Sequence, residues 1–369
     1  MSQFDISRRG LLMAAGAMPF VGSACAATPS DKPARWAMVG LGSFAVGQIM
    51  PTFAHTKHSK MTAFVSGTPS KLQEQGAKYG VTHHYSYDNF DDIAGNAEID
   101  CVYILLPPGL HAEYTIRALK AGKHVLCEKP MASTAAECEA MVAAAKAANR
   151  QLGVGYRVHF EPNNVEALKR FKAGEVGALK HVSGKAGFEI NPNYGPHKWR
   201  LDKEIGGGGS MYDIGIYALN GGLMFVDEAP QSVSAVYTYD RNDPRFAEVE
   251  GGVDWKINFA SGLKVEGQSF YTGSYVTRQV VDGAGGQIVL DPASSYDGVK
   301  ASLQKAGAAS QAISAGESRQ QFAAQIDGFS LAALGNTPHR TPGEMGWRDL
   351  RLIEAIYRSA DNGGQTVKV

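Results

Sequence analysis

Two short motifs hold the residue types most able to do chemistry in this 369-residue chain. Glu128-Lys129-Pro130 follows the apolar run Lys123–Cys127, which reads as a buried strand. In doubly wound folds, ligands bind beyond the carboxyl ends of such strands. Pro130 confines Lys129 to extended or turn backbone, and the same three residues equally suit an ordinary strand-ending turn. The second motif runs Gly206-Gly207-Gly208-Gly209-Ser210-Met211-Tyr212-Asp213-Ile214-Gly215-Ile216-Tyr217. Asp213 and Tyr217 are four positions apart, hence on one face of a helix. Ser210-x-x-Asp213 also has the form of a capping box, and Tyr217 also suits an amphipathic core position. Together these residue types could transfer protons. A tyrosine hydroxyl titrates at about 10, too high for a base at neutral pH, unless a nearby cation stabilises the phenolate.

The segments before these motifs must supply the platform. Ala37-Met38-Val39 runs into Gly40-Leu41-Gly42-Ser43-Phe44-Ala45, a strand entering G-x-G-x-x-A. Gly40 allows a tight turn, Gly42 a close backbone approach to a pyrophosphate, and Ala45 close packing of helix on strand. A purely structural glycine turn would have the same form. Met61–Val65, Ile99–Pro107 and Lys123–Cys127 read as further strands, with helical composition over His111–Lys120 and Ala132–Ala148. That alternation predicts a parallel, doubly wound sheet. An NAD enzyme places an acid at the end of the second strand to hold the ribose hydroxyl. Here Val65-Ser66-Gly67-Thr68-Pro69-Ser70-Lys71 contains none. Ser66, the Gly67 amide and Lys71 would instead welcome a 2′-phosphate, which favours NADP. Lys71 alone could also be a solvated helix lysine.

Lys+Arg and Asp+Glu are both 36, so no basic field exists to attract nucleic acid. Hydrophobic residues at 44% and charged residues at 20% describe a globular chain, with length for two domains. The four cysteines cannot make a disulfide scaffold, and Cys101, Cys127 and Cys138 lack metal-ligand spacing. They read as small apolar residues; no metal is expected. Residues 1–26 read as an export signal: Ser7-Arg8-Arg9-Gly10-Leu11-Leu12, an apolar run to Val21, then Ala24-Cys25-Ala26 for cleavage. The run is too short to span a membrane. Its removal leaves 34 basic and 35 acidic residues.

GLGSFA, Glu128-Lys129-Pro130, Gly155-Tyr156-Arg157, Trp199-Arg200 and Asp213-Ile214-Gly215-Ile216-Tyr217 resemble the glucose–fructose oxidoreductase/inositol dehydrogenase family. Within it, the resemblance is to the glucose–fructose and aldose–aldose oxidoreductase branch. It runs from about Ala37 to a C-terminal helix over Arg348–Ala360. It implies an NADP-binding Rossmann domain over residues 34–155 and an α+β domain over 156–369, whose large, mostly antiparallel sheet supports the sugar site and the subunit contact. His181–Ile190, Ser232–Tyr239, Val253–Phe259, Leu263–Tyr271 and Gln279–Val289 read as its strands.

By the same resemblance, Lys129 is the lysine that hydrogen-bonds the reacting oxygen and Asp213 its supporting acid. Tyr217 stands where most members carry histidine and the sugar-coupled branch carries tyrosine, which points away from an inositol dehydrogenase. Ser66 and Lys71 match 2′-phosphate contacts, and Tyr87 an aromatic near the adenine. Leu106, Pro107, Leu110 and His111 match the loop along the nicotinamide half. Glu128, Arg157, Trp199 and Arg200 are expected as cofactor or sugar walls. The long N-terminal arm of glucose–fructose oxidoreductase has no counterpart between about residue 26 and the first strand. A homodimer through the C-domain sheet is therefore the expectation, with a tetramer as the alternative.

In the implied reaction, hydride leaves a sugar C1 while its hydroxyl proton passes to Tyr217, whose phenolate Lys129 would stabilise. Twin-arginine export carries folded proteins, so cofactor would be loaded in the cytoplasm and kept in the periplasm. Such an enzyme must oxidise one sugar and reduce another in alternation. A conventional NADP-dependent sugar or diol dehydrogenase, or a non-catalytic nucleotide- or sugar-binding protein, are the other readings of the same fold.

Overall fold

The computed structural model describes residues 32–369. The segment read as an export signal, residues 1–26 including Cys25, lies outside the described residues. Six parallel strands form the first sheet: β1 Ala34–Val39, β2 Ser59–Val65, β3 His83–Tyr85, β4 Cys101–Ile104, β5 His124–Cys127 and β6 Leu152–Val154. Their spatial order is β3-β2-β1-β4-β5-β6, the Rossmann arrangement. The order reverses between β1 and β4. A crevice therefore opens beyond their carboxyl ends, where the glycine turn follows β1.

Period-two alternation divides each strand between two cores. Ala37, Val39, Val102, Ile104 and Cys127 face a core shared with the helices His111–Lys120 and Ala135–Ala148. Trp36, Met38, Phe64, Cys101 and Tyr103 face the other, which is completed by Phe322, Ile326 and Phe329 of the helix Gln320–Gly335. The Trp36 indole donates to Ser330 Oγ at 3.0 Å, and Asp327 accepts from the main-chain amides of Lys57 and His58. The far end of the chain thus covers one face of the first sheet. Cys101, Cys127 and Cys138 are all buried and unbridged.

The second sheet has nine strands: β7 Leu179–Gly187, β8 Pro230–Tyr237, β9 Gly252–Phe259, β10 Lys264–Phe270, β11 Val276–Gly283, β12 Gly286–Leu290, β13 Ala301–Lys305, β14 Gln311–Ile313 and β15 Val367–Lys368. All neighbours are antiparallel except β7 and β10. The single strand expected over Gln279–Val289 is two, because Ala284-Gly285 turns the chain into a β11–β12 hairpin. β13, β14 and β15 have too little alternation to be seen in the sequence. The C-terminal helix is longer than expected, Gly343–Asp361. One face of this sheet packs on that helix and on the helix Ile216–Leu223. The other is open and polar, with Ser183, Lys185, Asp254, Glu266 and Arg278 along a shallow groove.

Candidate active site

Gly40 makes the turn after β1 with φ +94°, and a Cβ there would stand 2.9 Å from the Leu105 carbonyl oxygen. Only glycine fits so close a passage of two strand ends. Leu41 is buried beneath the turn, and Gly42, Ser43, Phe44 and Ala45 line the crevice. Lys71 is exposed and reaches back from the helix Pro69–Tyr79 to donate to the Leu41 carbonyl at 3.1 Å. That helix has no acidic residue in its first turn. Ser66 is buried and accepts from the Thr68 amide at 3.2 Å, while Tyr87 packs against Gly67. Ser66, Gly67, Lys71 and Tyr87 thus form one group at the β2 end, beyond the walls of the main cavity.

His111 stitches the loops after β4 and β5, with its ring nitrogens 2.7 Å from the Leu106 carbonyl and 2.8 Å from that of Pro130. Burial lowers its pKa. Leu106, Pro107 and His111 line the cavity, whereas Leu110 is 41% exposed and lies outside its walls.

β5 delivers Glu128 and Lys129. Tyr103 donates to Glu128 at 2.7 Å and itself accepts from Gln325 at 2.8 Å, so the second core, through its strand and its covering helix, fixes this carboxylate. The Lys129 ammonium donates to the main-chain carbonyl of Asp213 and stands 3.7 Å from its carboxylate. Arg200 donates to the Asp213 carboxylate at 2.8 Å, and the Tyr271 hydroxyl donates to the same oxygen at 3.1 Å. Burial works to raise the Asp213 carboxyl, but the Arg200 and Lys129 charges overcome it and hold it below the usual range. Burial likewise pulls Lys129 below its ordinary value, against the pull of Asp213 and Glu128. The Trp199 ring carries the Arg200 guanidinium at 4.4 Å.

Asp213 lies on a wide turn, Met211–Gly215, that runs into the helix Ile216–Leu223, which carries Tyr217. Gly215 brings this turn onto β10, since a Cβ there would meet that of Ser269 at 2.6 Å. The capping box does not form. Glu250 takes its place from a distant loop, accepting from the amides of Gly209 at 2.8 Å and Met211 at 2.7 Å, from Ser210 Oγ at 3.2 Å and from the Tyr357 hydroxyl at 2.8 Å. Asp213 is thereby left for the cluster with Lys129 and Arg200.

The Lys129 ammonium sits 4.6 Å from the centre of the Tyr217 ring, against its face. Burial pushes the Tyr217 hydroxyl up to about 12, and the cation that most opposes the rise is Arg157. Lys129, expected to lower it, is itself paired with the Asp213 carboxylate. Glu128, Lys129, Arg157, Trp199, Arg200, Asp213 and Tyr217 all line one inter-domain cavity of about 900 Å³. Its walls also include Phe188, His197, Tyr275, Ser294, Ser295 and Tyr296, none of which the sequence singled out. Among the described residues, no three His, Cys, Asp or Glu side chains are grouped to hold a metal.

Such a cleft can bind an elongated ligand from the glycine turn to Tyr217 and offer it a lysine, an acid and a hydroxyl at one end. Residues 34–156 match the model of the oxidoreductase family with an NAD-binding Rossmann fold, and residues 165–289 match the GFO/IDH/MocA C-terminal domain. The chain is 43% identical to an aldose–aldose oxidoreductase from Caulobacter crescentus solved with glycerol, covering 92% of this chain and 100% of that one with a TM-score of 0.87. It is 29% identical over 343 residues to the NADP-dependent D-xylose 1-dehydrogenase of Haloarcula marismortui, which spans 90% of this chain and 93% of the relative. An inositol dehydrogenase homolog from Azotobacter vinelandii shares the fold at 21% identity and a TM-score of 0.80, covering 92% and 98% of the two chains. With its glycine turn, its Glu128-Lys129-Pro130 strand end and both domain matches, the chain belongs to the GFO/IDH/MocA family of oxidoreductases.

Proposed function

We propose that this protein is an exported sugar oxidoreductase that retains one NADP, oxidising an aldose to aldonolactone and reducing a second sugar to a polyol in alternating half-reactions. The convergence of Lys129, Asp213 and Tyr217 on one cleft, from two domains, carries the reading. The likeness to an aldose–aldose oxidoreductase and to an NADP-dependent xylose dehydrogenase supports sugars as substrates and NADP as cofactor.

The β2 end fits the adenosine half of NADP. It has no carboxylate to repel a 2′-phosphate, and Ser66 and Lys71 stand where one would be held, with Tyr87 beside Gly67. Gly42 and Ser43 would meet the pyrophosphate, and Leu106, Pro107 and His111 the nicotinamide half. When bound, NADP supplies the hydride acceptor and donor. Lys129 steadies negative charge on the reacting oxygen. Tyr217 takes the hydroxyl proton in oxidation and returns it in reduction. Asp213, itself fixed by Arg200 and Tyr271, holds the lysine in place. Trp199 and Arg200 wall the sugar side.

The twin-arginine pattern in residues 1–26 supports export through that machinery to the periplasm. Free NADP is not expected there, so retention and ping-pong turnover follow. The open polar face of the nine-stranded sheet is the surface through which two copies would pair.

Mass spectrometry of the purified protein, with the nucleotide released by denaturation, tests retention directly. One NADP per chain is expected, with aldonolactone and polyol formed in equal amounts from a sugar pair and no added NADP. Turnover that strictly requires free NADP would overturn retention. It would favour a conventional dehydrogenase, a reading supported by the likeness to the xylose dehydrogenase.

A further inference from the structure

Arg157 opens the turn Arg157–Phe160 after β6 and is only 4% exposed. Its guanidinium is held by neutral groups. It donates to Gln321 Oε1 at 2.7 Å, to the Ser295 carbonyl at 3.3 Å and to the Ser294 carbonyl. Its central carbon lies 4.8 Å from the middle of the Tyr217 ring and 4.7 Å from that of Tyr296, so it is clamped between two tyrosines. Among the described residues, no carboxylate forms an ion pair with it.

A buried cation without an ion-pair partner is costly, so its placement calls for a reason. The groups facing Tyr217 supply one. Lys129 lies on the ring face, but its charge is engaged by Asp213. Glu128 and Asp213 bring negative charge that disfavours the phenolate, and Tyr296 is another weak acid. Arg157 is the facing cation with no carboxylate pair of its own among the described residues.

We propose that Arg157 is a positioning residue for Tyr217: anchored by Gln321 and two carbonyls, it holds the phenol towards the cleft and stabilises its phenolate. In the oxidative direction the phenolate accepts the sugar hydroxyl proton, one O–H bond forming as the other breaks. The inference rests on Tyr217 as the acid–base group proposed above. It assigns to Arg157 an electrostatic task that Lys129 was expected to perform.

The test places 3,5-difluorotyrosine at position 217, whose more acidic phenol titrates in an accessible range, and follows it by fluorine NMR in the full-length protein. Arg157→Gln should raise the titration midpoint by about one to three pH units, the range for a charge at this separation. Arg157→Lys should restore most of the difference. Should Arg157→Gln fail to fold, Gln321→Glu keeps the guanidinium anchored while giving it a carboxylate, and should raise the midpoint likewise. Midpoints unchanged in folded Arg157→Gln or Gln321→Glu protein would overturn the proposal. The NMR readout needs no turnover. A shifted midpoint in a protein that transfers no hydride would therefore remove the functional reading while leaving the role of Arg157 standing.

Discussion

Lys129 and Asp213 meet twice: the ammonium donates to the main-chain carbonyl of Asp213 and stands 3.7 Å from its carboxylate. The contact joins the end of β5 in one domain to the helical turn of the other. It fixes the lysine over the cleft while Arg200 and Tyr271 hold the acid from behind.

Lys129→Met should abolish hydride transfer in both directions and leave NADP bound. Tyr217→Phe should slow both half-reactions by roughly 10²–10⁴-fold, the usual cost of losing a general acid–base group. Stopped-flow absorbance of the nicotinamide, with aldose and then acceptor, measures each step. Ordinary turnover in the lysine variant would return Glu128-Lys129-Pro130 to a strand-ending turn.

Lys71→Ala should weaken NADP binding more than NAD binding. The lysine also ties the glycine turn through the Leu41 carbonyl, so a small loss for both nucleotides accompanies the larger one. Calorimetric titration of stripped protein compares the two, and equal losses would sink the preference for NADP.

Glu250→Gln should lower stability by about 1–3 kcal/mol, because an amide cannot accept from every donor that meets the carboxylate and leaves buried N–H groups unpaired. The same change should reduce the rate of the chemical step through the turn that carries Asp213. Urea denaturation and single-turnover kinetics read the two effects. A variant unchanged in both would show that Glu250 does not hold that turn.

Mild acid should weaken the fold through its buried histidines. Burial pushes His124, His159 and His339 down to about 4 in the folded chain. Their unfolded values lie near 6.5. The unfolded chain therefore binds more protons between these limits, and stability present above about pH 6.5 is lost as pH falls towards 4. His159, 7% exposed and 2.6 Å from Asn220 Oδ1, is a suitable probe. His159→Gln should show a smaller drop in urea midpoint between neutral and mildly acidic buffer than the parent. An equal drop would mean that His159 is not part of the cause.

The Rossmann half was legible because its information is local: short apolar runs, a glycine turn and a strand ending in Glu128-Lys129-Pro130. Local spacing misled at Ser210-x-x-Asp213, where Glu250, far along the chain, caps the turn instead. Leu110 ends the helical turn Pro108–Leu110 and is exposed, outside the cavity walls. Tyr271, Tyr296 and Gln321 reach the site from the residue after β10, an irregular loop and the helix Gln320–Gly335. No motif surrounds them, and their roles arise only when distant segments pack. The seat of Arg157 between Tyr217 and Tyr296, and of Lys129 beside Asp213, was invisible for the same reason, since both cations were in view but their partners were not.

The helix Gln320–Gly335 also sets an order of events in biosynthesis. Phe322, Ile326 and Phe329 complete the core behind Trp36, Met38 and Tyr103, and Gln325 supports the hydroxyl that holds Glu128. Domains ordinarily fold one after another as they leave the ribosome. Here the first domain emerges with one flank bare, and its missing layer is among the last segments to be translated. A nascent chain stopped before residue 320 would expose that flank and offer a dinucleotide an unfinished crevice. The crevice is therefore walled on both flanks only once translation has entered the last seventh or so of the polypeptide.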